Sequence, residues 1–215
     1  MSPAERPDPG ATTFSSFLEA LSARTPTPAG GAAAGLAAAS GAALLAMVAR
    51  YTTDGRFGEV EAEMRGLAAE ADELARHALE TIRADEEAFG AVAGAYELPR
   101  ETEGERARRA KAVQEAMGPA TVPPMRLAAM CVRLAELARV LADRGNPNVV
   151  SDVATGAACV AAASDGCLVN LQANAAVVRD EAVKISVKRA VDGLVPHRDA
   201  LRALVDEVRD RYGRT

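Results

Sequence analysis

Apolar residues recur at steps of three and four along most of the chain, and no run alternates with the period of a strand. Breakers divide the pattern into about six helical stretches. The first runs from about Phe14 to Ala23, and the second from Gly31 to Tyr51. The third, Phe57 to Tyr96, stops at Leu98-Pro99. The fourth begins near Glu101, is broken around Pro119 and Pro123-Pro124, and resumes to Asp143 before Gly145. The fifth follows Asn146-Pro147-Asn148 and extends to about Arg179. The last reaches Tyr212, with an interruption expected at Gly193 to Pro196. No repeat or shift of composition marks a second domain. The pattern predicts an all-α fold, an antiparallel helical bundle with small-residue packing. Residues 1–12 are polar and proline-rich and read as a flexible tail. They lack the basic and then apolar order of a secretory signal. Residues 13–215 read as one helical domain.

Two faces carry chemistry. In the third helix Leu67, Ala71, Leu74, Ala78, Ile82, Asp85, Phe89, Val92 and Tyr96 form one stripe, and one member is a carboxylate. Burying an unpaired carboxylate is costly, so Asp85 needs a partner or an upward-shifted pKa. A structural Asp bonded to a neighbouring helix fits the position equally well. In the fifth helix Asp152, Gly156, Cys159, Ala163, Gly166, Asn170 and Asn174 share a face. Small residues there admit another backbone or a flat ligand, and two amides four residues apart point into one space. Ser151 or Asp152 also fits a helix cap, and the amides also fit a helix–helix hydrogen bond. Thr102 to Glu105 reads as a capping box. Arg106, Arg108, Arg109 and Lys111 form a basic cluster, either a solvated face or a contact for an anionic substrate tail.

Composition narrows the picture. Half the chain is hydrophobic (49%), but aromatic residues are only 3%, so alanine supplies the apolar surface and the helices must approach closely. The net charge is −5 with both signs mixed, which argues against a nucleic-acid partner. Gly30 to Ala49 is uncharged and about 20 residues long, the length of a membrane span. It is rich in Ala and Gly rather than in large apolar residues, so a buried helix of a soluble protein is the better reading and no membrane partner is expected. Cys131, Cys159 and Cys167 form no CxxC. Cys159 and Cys167 read as reduced, buried thiols of a cytoplasmic protein. His77 and His197 are far apart, and no metal spacing can be drawn.

Four ordered stretches bring these features together: SARTPTPAGGAAAGLAAASGAALLAMV, DEEAFGAVAGAYELPRETEGERARR, VPPMRLA, and GNPNVVSDVATGA followed by NLQAN. In order and spacing the chain resembles the cyclodeaminase/cyclohydrolase family of folate enzymes. The resemblance implies an all-α fold, a homodimer or larger homo-oligomer, and a folate cleft between helices. It implies a tetrahydrofolate derivative as substrate and no tightly bound cofactor. The family's Asp-x-x-Ala-Phe motif maps its acid/base carboxylate onto Asp85. Its Gly-Asn and Ser-Asp elements map onto Asn146, Ser151 and Asp152. Its paired asparagines map onto Asn170 and Asn174, and its Leu-Pro-Lys turn onto Leu98-Pro99-Arg100. Its Pro-Gly-Gly-Gly-Ser element reads Pro28-Ala29-Gly30-Gly31-Ala32, so one glycine gains a methyl and a hydroxyl is lost. Pro28, Gly30 and Gly31 shape a turn entering a helix whose N–H groups face a ligand.

The resemblance implies Asp85 and Asp152 as catalytic residues. It implies Pro28, Gly30, Gly31, Arg100, Ser151, Asn170 and Asn174 as substrate-binding residues. The expected reaction is hydrolysis of 5,10-methenyltetrahydrofolate to 10-formyltetrahydrofolate. The alternatives are a formiminotetrahydrofolate cyclodeaminase that releases ammonia, and a non-catalytic helical folate-binding or scaffold homologue.

Overall fold

A computed structural model describes residues 13–53 and 55–213. Those residues form seven α-helices and two 3₁₀ turns, with no strand among them. The helices are α1 (Phe14–Ser22), α2 (Gly30–Arg50), α3 (Glu61–Glu97), α4 (Glu103–Ala120), α5 (Val122–Arg144), α6 (Val150–Val177) and α7 (Glu181–Tyr212). Residues 1–12, expected to form a tail, lie outside the described residues.

Two proline expectations changed in detail. The fourth stretch is two helices, α4 and α5, which meet at Thr121. Pro119 sits in the last turn of α4. Pro123 and Pro124 sit in the first turn of α5, where no intrahelical N–H bond is lost. By contrast, α7 runs unbroken through Pro196. The carbonyl that Pro196 leaves unbonded belongs to Asp192, and both residues are exposed to water. Leu194 and Leu201 are 0% and 1% exposed, and their burial holds the helix continuous across the proline.

The Ala and Gly pattern of α2 places this helix at the centre. α2 packs against α3 on one side and α6 on the other, with backbones close together. At Gly41 an added Cβ would stand 2.6 Å from Val160 Cγ2 and 2.8 Å from the Gly156 carbonyl oxygen. Only glycines admit that crossing. α6 runs antiparallel to α2. Gly156 meets Leu44 and Leu45, Gly166 meets Ala34, and Asn170 reaches Gly30. Both α2 and the 147–177 span are long and apolar enough to cross a membrane, but much of each is buried inside the bundle.

α3 serves two cores. Its first half, including Met64, Ala68, Ala71 and Ala78, belongs to the main core with α2, α5, α6 and α7. Its last turns place Val92 and Ala95 in a smaller core with Val113, Met117 and Ala120 of α4 and Val178. The change of partner rotates the buried face. Phe89 and Tyr96, expected on the apolar stripe, are 41% and 44% exposed. Tyr96 instead receives the Arg109 guanidinium over its ring, and its carbonyl accepts from Arg109 Nε at 3.0 Å. Asp85 stands at the seam between the two cores.

Candidate active site

Three helices converge at the first turn of α2. Asp85 comes from the middle of α3 and Asn170 from the C-terminal half of α6. Gly30 and Gly31 open α2, and with no side chain they let both groups reach the backbone. A Cβ added at Gly31 would lie 2.1 Å from Asp85 Oδ2 and 2.6 Å from its Cγ. A Cβ at Gly30 would lie 3.9 Å from Asn170 Oδ1. The N-cap is Ala29, which supplies no side-chain hydrogen bond, so the α2 N-terminus presents its own N–H groups and partial positive charge. Pro28 is half-buried just before it, and the Thr27–Pro28 peptide is cis. Ala32, where the family resemblance has a hydroxyl, is 0% exposed and packs in the core.

Asp85 makes no hydrogen bond or ion pair with the described residues. Burial, and then the nearby Glu86 carboxylate, hold its pKa above the ordinary value. The bonded structural aspartate that the sequence left open is therefore not what forms. Beneath it, Cys131 and Cys167 are fully buried and free, whereas Cys159, read as buried, is only half so. Contact with Cys131, burial and the charge of Asp85 push the Cys167 thiol up, so it stays neutral.

The two amides divide their work. Asn174 Nδ2 donates to the Ala120 carbonyl at 3.0 Å, tying α6 to the α4–α5 junction. Asn170 makes no such bond and keeps its amide toward the glycine turn.

Other residues expected at the site lie elsewhere in this chain. Asp152 is eighteen residues before Asn170 on α6, about 27 Å at the rise of an α-helix. Ser151 and Asp152 stand in the first turn of α6 at the opposite end of α2. Neither caps it, because the N-cap is Val149 with a 3₁₀ turn, Pro147–Val149, before it. Asn146 caps that turn through Asn148 N at 3.1 Å. It also donates from Nδ2 to the Tyr51 carbonyl at 2.9 Å, and its backbone N donates to Thr52 Oγ1 at 3.0 Å. That part of the Gly-Asn…Ser-Asp element therefore ties down the C-terminal end of α2. Asp85 and Asp152 cannot both reach one reacting carbon within one chain.

Arg100 lies beyond the end of α3, more than about 18 Å along the helix from Asp85. The basic cluster is largely engaged. Arg106 donates to the Glu101 carbonyl at 2.8 Å, Arg109 holds Tyr96, and Lys111 pairs with Glu115 at 3.7 Å. The expected capping box of Thr102 and Glu105 is present.

Sequence reasoning missed Gln114. Its Nε2 donates to the Val177 carbonyl at 3.0 Å, and its Oε1 accepts from Arg179 N at 2.9 Å. It holds the α6–α7 turn to α4. A single glutamine on a charged helix carries no periodic signal that would mark it. Among the described residues no group of His, Cys, Asp or Glu could hold a metal ion.

Residues 13–193 match the family model described as formiminotransferase-cyclodeaminase. The chain is 35% identical to a methenyltetrahydrofolate cyclohydrolase from Methylorubrum extorquens, over 92% of this chain and 96% of that one. It is 31% identical to the formimidoyltransferase-cyclodeaminase of Rattus norvegicus, covering 88% of this chain but 35% of that longer protein. The crystal structure of a formiminotetrahydrofolate cyclodeaminase from Thermotoga maritima superposes with a TM-score of 0.82 at 26% identity, covering 93% of this chain and 96% of that one.

Proposed function

The chain belongs to the formiminotransferase-cyclodeaminase family, and on that premise we propose that it hydrolyses 5,10-methenyltetrahydrofolate to 10-formyltetrahydrofolate. One observation carries this reading. The Asp85 carboxylate has no hydrogen-bond or ion-pair partner among the described residues and faces the glycine turn of α2 beside the Asn170 amide. The 35% identity to a methenyltetrahydrofolate cyclohydrolase over nearly both full lengths supports the choice of reaction.

The substrate bridge is an amidinium cation. A carboxylate that is half-buried and unpaired attracts it more strongly than one in water. Water then attacks the bridge carbon, and its proton passes to Asp85 as the C–O bond forms. Breaking the bond from that carbon to N5 opens the ring. N5 takes the proton from Asp85, the hydroxyl proton leaves to solvent, and the formyl C=O remains on N10. Water is consumed and one proton is released. The raised pKa of Asp85 makes it a stronger base while ionised. Pro28, Gly30, Gly31 and Asn170 position the pterin. Asn174 acts through the α4–α5 junction that it holds. No resident cofactor enters these steps.

The cyclodeaminase reading is favoured by the Thermotoga structure. In that chemistry Asp85 in its acid form protonates the departing ammonia. Two assays separate the readings. Decay of the methenyl chromophore reports the hydrolase, and ammonia release from formiminotetrahydrofolate reports the deaminase. Silence in both would reject both.

The proposed setting is the cytoplasm, with the chain as a homodimer or larger homo-oligomer and neither nucleic acid nor membrane as partner. The apolar face of α1 supports self-association. It buries no residue in its own chain and leaves Phe14 and Leu18 65% and 45% exposed.

A further inference from the structure

A cavity of ≈ 350 Å³ lies between α3 and α5, lined by His77, Glu80, Thr81 and Ala84 of α3 and by Arg126, Ala129 and Met130 of α5. It begins one residue before Asp85 in the sequence of α3. Its walls differ in character. Ala84, Ala129 and Met130 make an apolar strip suited to the face of an aromatic ring.

The charges are unevenly paired. Glu80 is paired with Arg76 at 2.5 Å, and Arg76 also donates to His77 Nε2 at 2.9 Å. Glu73 lies on the far side of the same arginine, 3.8 Å away. The Thr81 hydroxyl is bonded to the His77 carbonyl at 2.8 Å. Arg126 has no ion pair or hydrogen bond among the described residues. A cation thus stands beside the apolar strip, while the carboxylate in the cavity lining, Glu80, is engaged by Arg76.

The register of the two helices places that cation. Glu63 pairs with Arg144 at 2.6 Å and Glu70 with Arg133 at 2.5 Å, so α3 and α5 run antiparallel. Continued by two turns, the same register sets Arg126 beside residues 77–80. That is about 9 Å along α3 from Asp85. In a tetrahydrofolate, the aminobenzoyl ring and its amide place the glutamate α-carboxylate roughly 9–10 Å from N10 at ordinary bond lengths. The axial separation of the two residues is therefore of the same order as the reach of that arm.

We infer that the α3–α5 cavity seats the aminobenzoyl-glutamate arm of the substrate, with Arg126 binding a glutamate carboxylate. The inference rests on the folate reading of the Asp85 site, and Arg126 is a specificity-determining residue rather than a catalytic one. A guanidinium held against a carboxylate near apolar surface contributes roughly 10- to 100-fold in affinity.

Calorimetric titration of the intact protein tests this without turnover, using 5-formyltetrahydrofolate and its glutamate dimethyl ester as probes. The wild type should bind the free acid roughly 10- to 100-fold more tightly than the diester. Arg126→Ala should lose that discrimination, and Arg126→Lys should keep part of it. In turnover of methenyltetrahydrofolate, the loss in Arg126→Ala should fall on KM rather than kcat. Equal affinity of wild type and Arg126→Ala for the free acid overturns the inference, as does a wild type with no preference for it or no binding at all. Free-acid preference lost in Arg126→Ala, without turnover of either folate, would sustain the arm site and reject the enzyme reading.

Discussion

The carboxylate of Asp85 lies against the backbone of Gly31, so close that a Cβ at residue 31 would fall 2.1 Å from Oδ2. The missing side chain of one residue makes room for the carboxylate of the other. Neither is positioned by a hydrogen bond between side chains. Packing of α3 on α2 does the positioning.

Gly31→Ala should therefore disable the site while the bundle stays folded. The added methyl forces Asp85 to swing away, and a displacement of about 1 Å is enough to lower the rate roughly 100-fold. Gly66→Ala, on the same helix as Asp85, is the control, because its methyl would meet nothing within 4 Å. Steady-state kinetics on the two variants should show a large loss in the first and a small one in the second. Equal losses would reject this role for the contact.

Asp85→Asn should lower kcat at least about 100-fold, the usual scale of a lost general acid or base. Its stability should move the other way. The folded-state pKa of Asp85 is raised, so its protonated form favours folding. Its stabilising contribution is fully present below the unfolded value of about 4 and is lost as pH rises through the raised folded value. At pH 7 the amide should melt higher than the wild type, and the gap should close toward pH 4. Thermal melts across that range check the sign. In the wild type, hydrolysis should decline as pH falls through the same raised pKa.

The two asparagines should separate in assay. Asn170→Ala should raise KM or lower kcat with an unchanged melting temperature, since its amide makes no hydrogen bond among the described residues. Asn174→Ala should destabilise by about 1 kcal/mol through loss of the bond to the Ala120 carbonyl. Denaturant titration beside kinetics distinguishes them. The opposite assignment would require Asn174 to face substrate instead.

Gln114→Ala should cost about 1–2 kcal/mol, because one side chain satisfies both Val177 O and Arg179 N. Hydrogen exchange at Arg179 N should accelerate in the variant. Unchanged protection there would show that another group holds the turn.

The sequence alone was enough to reach the helical class, most helix ends, the family and the inward-turned carboxylate of Asp85. Those are local or periodic properties. A carboxylate in an apolar stripe, a capping box at Thr102 and an Ala/Gly helix each carry their meaning within a few turns. The face of α3 beyond Asp85 was misread because its packing partner changes from α2 to α4, which no period within α3 encodes. Pro196 was read as a break because its local cost is visible, while the burial of Leu194 and Leu201 that offsets it is not.

The membership of the site was a tertiary decision. Asp85, Gly31 and Asn170 meet because α2 is narrow enough for α3 and α6 to touch its backbone. Asp152 shares a face with Asn170, yet eighteen residues of helix separate them, and a common face does not shorten that length. Residue types and periodicity specify which groups turn inward. Only the antiparallel register of packed helices determines which of those groups stand at the same level.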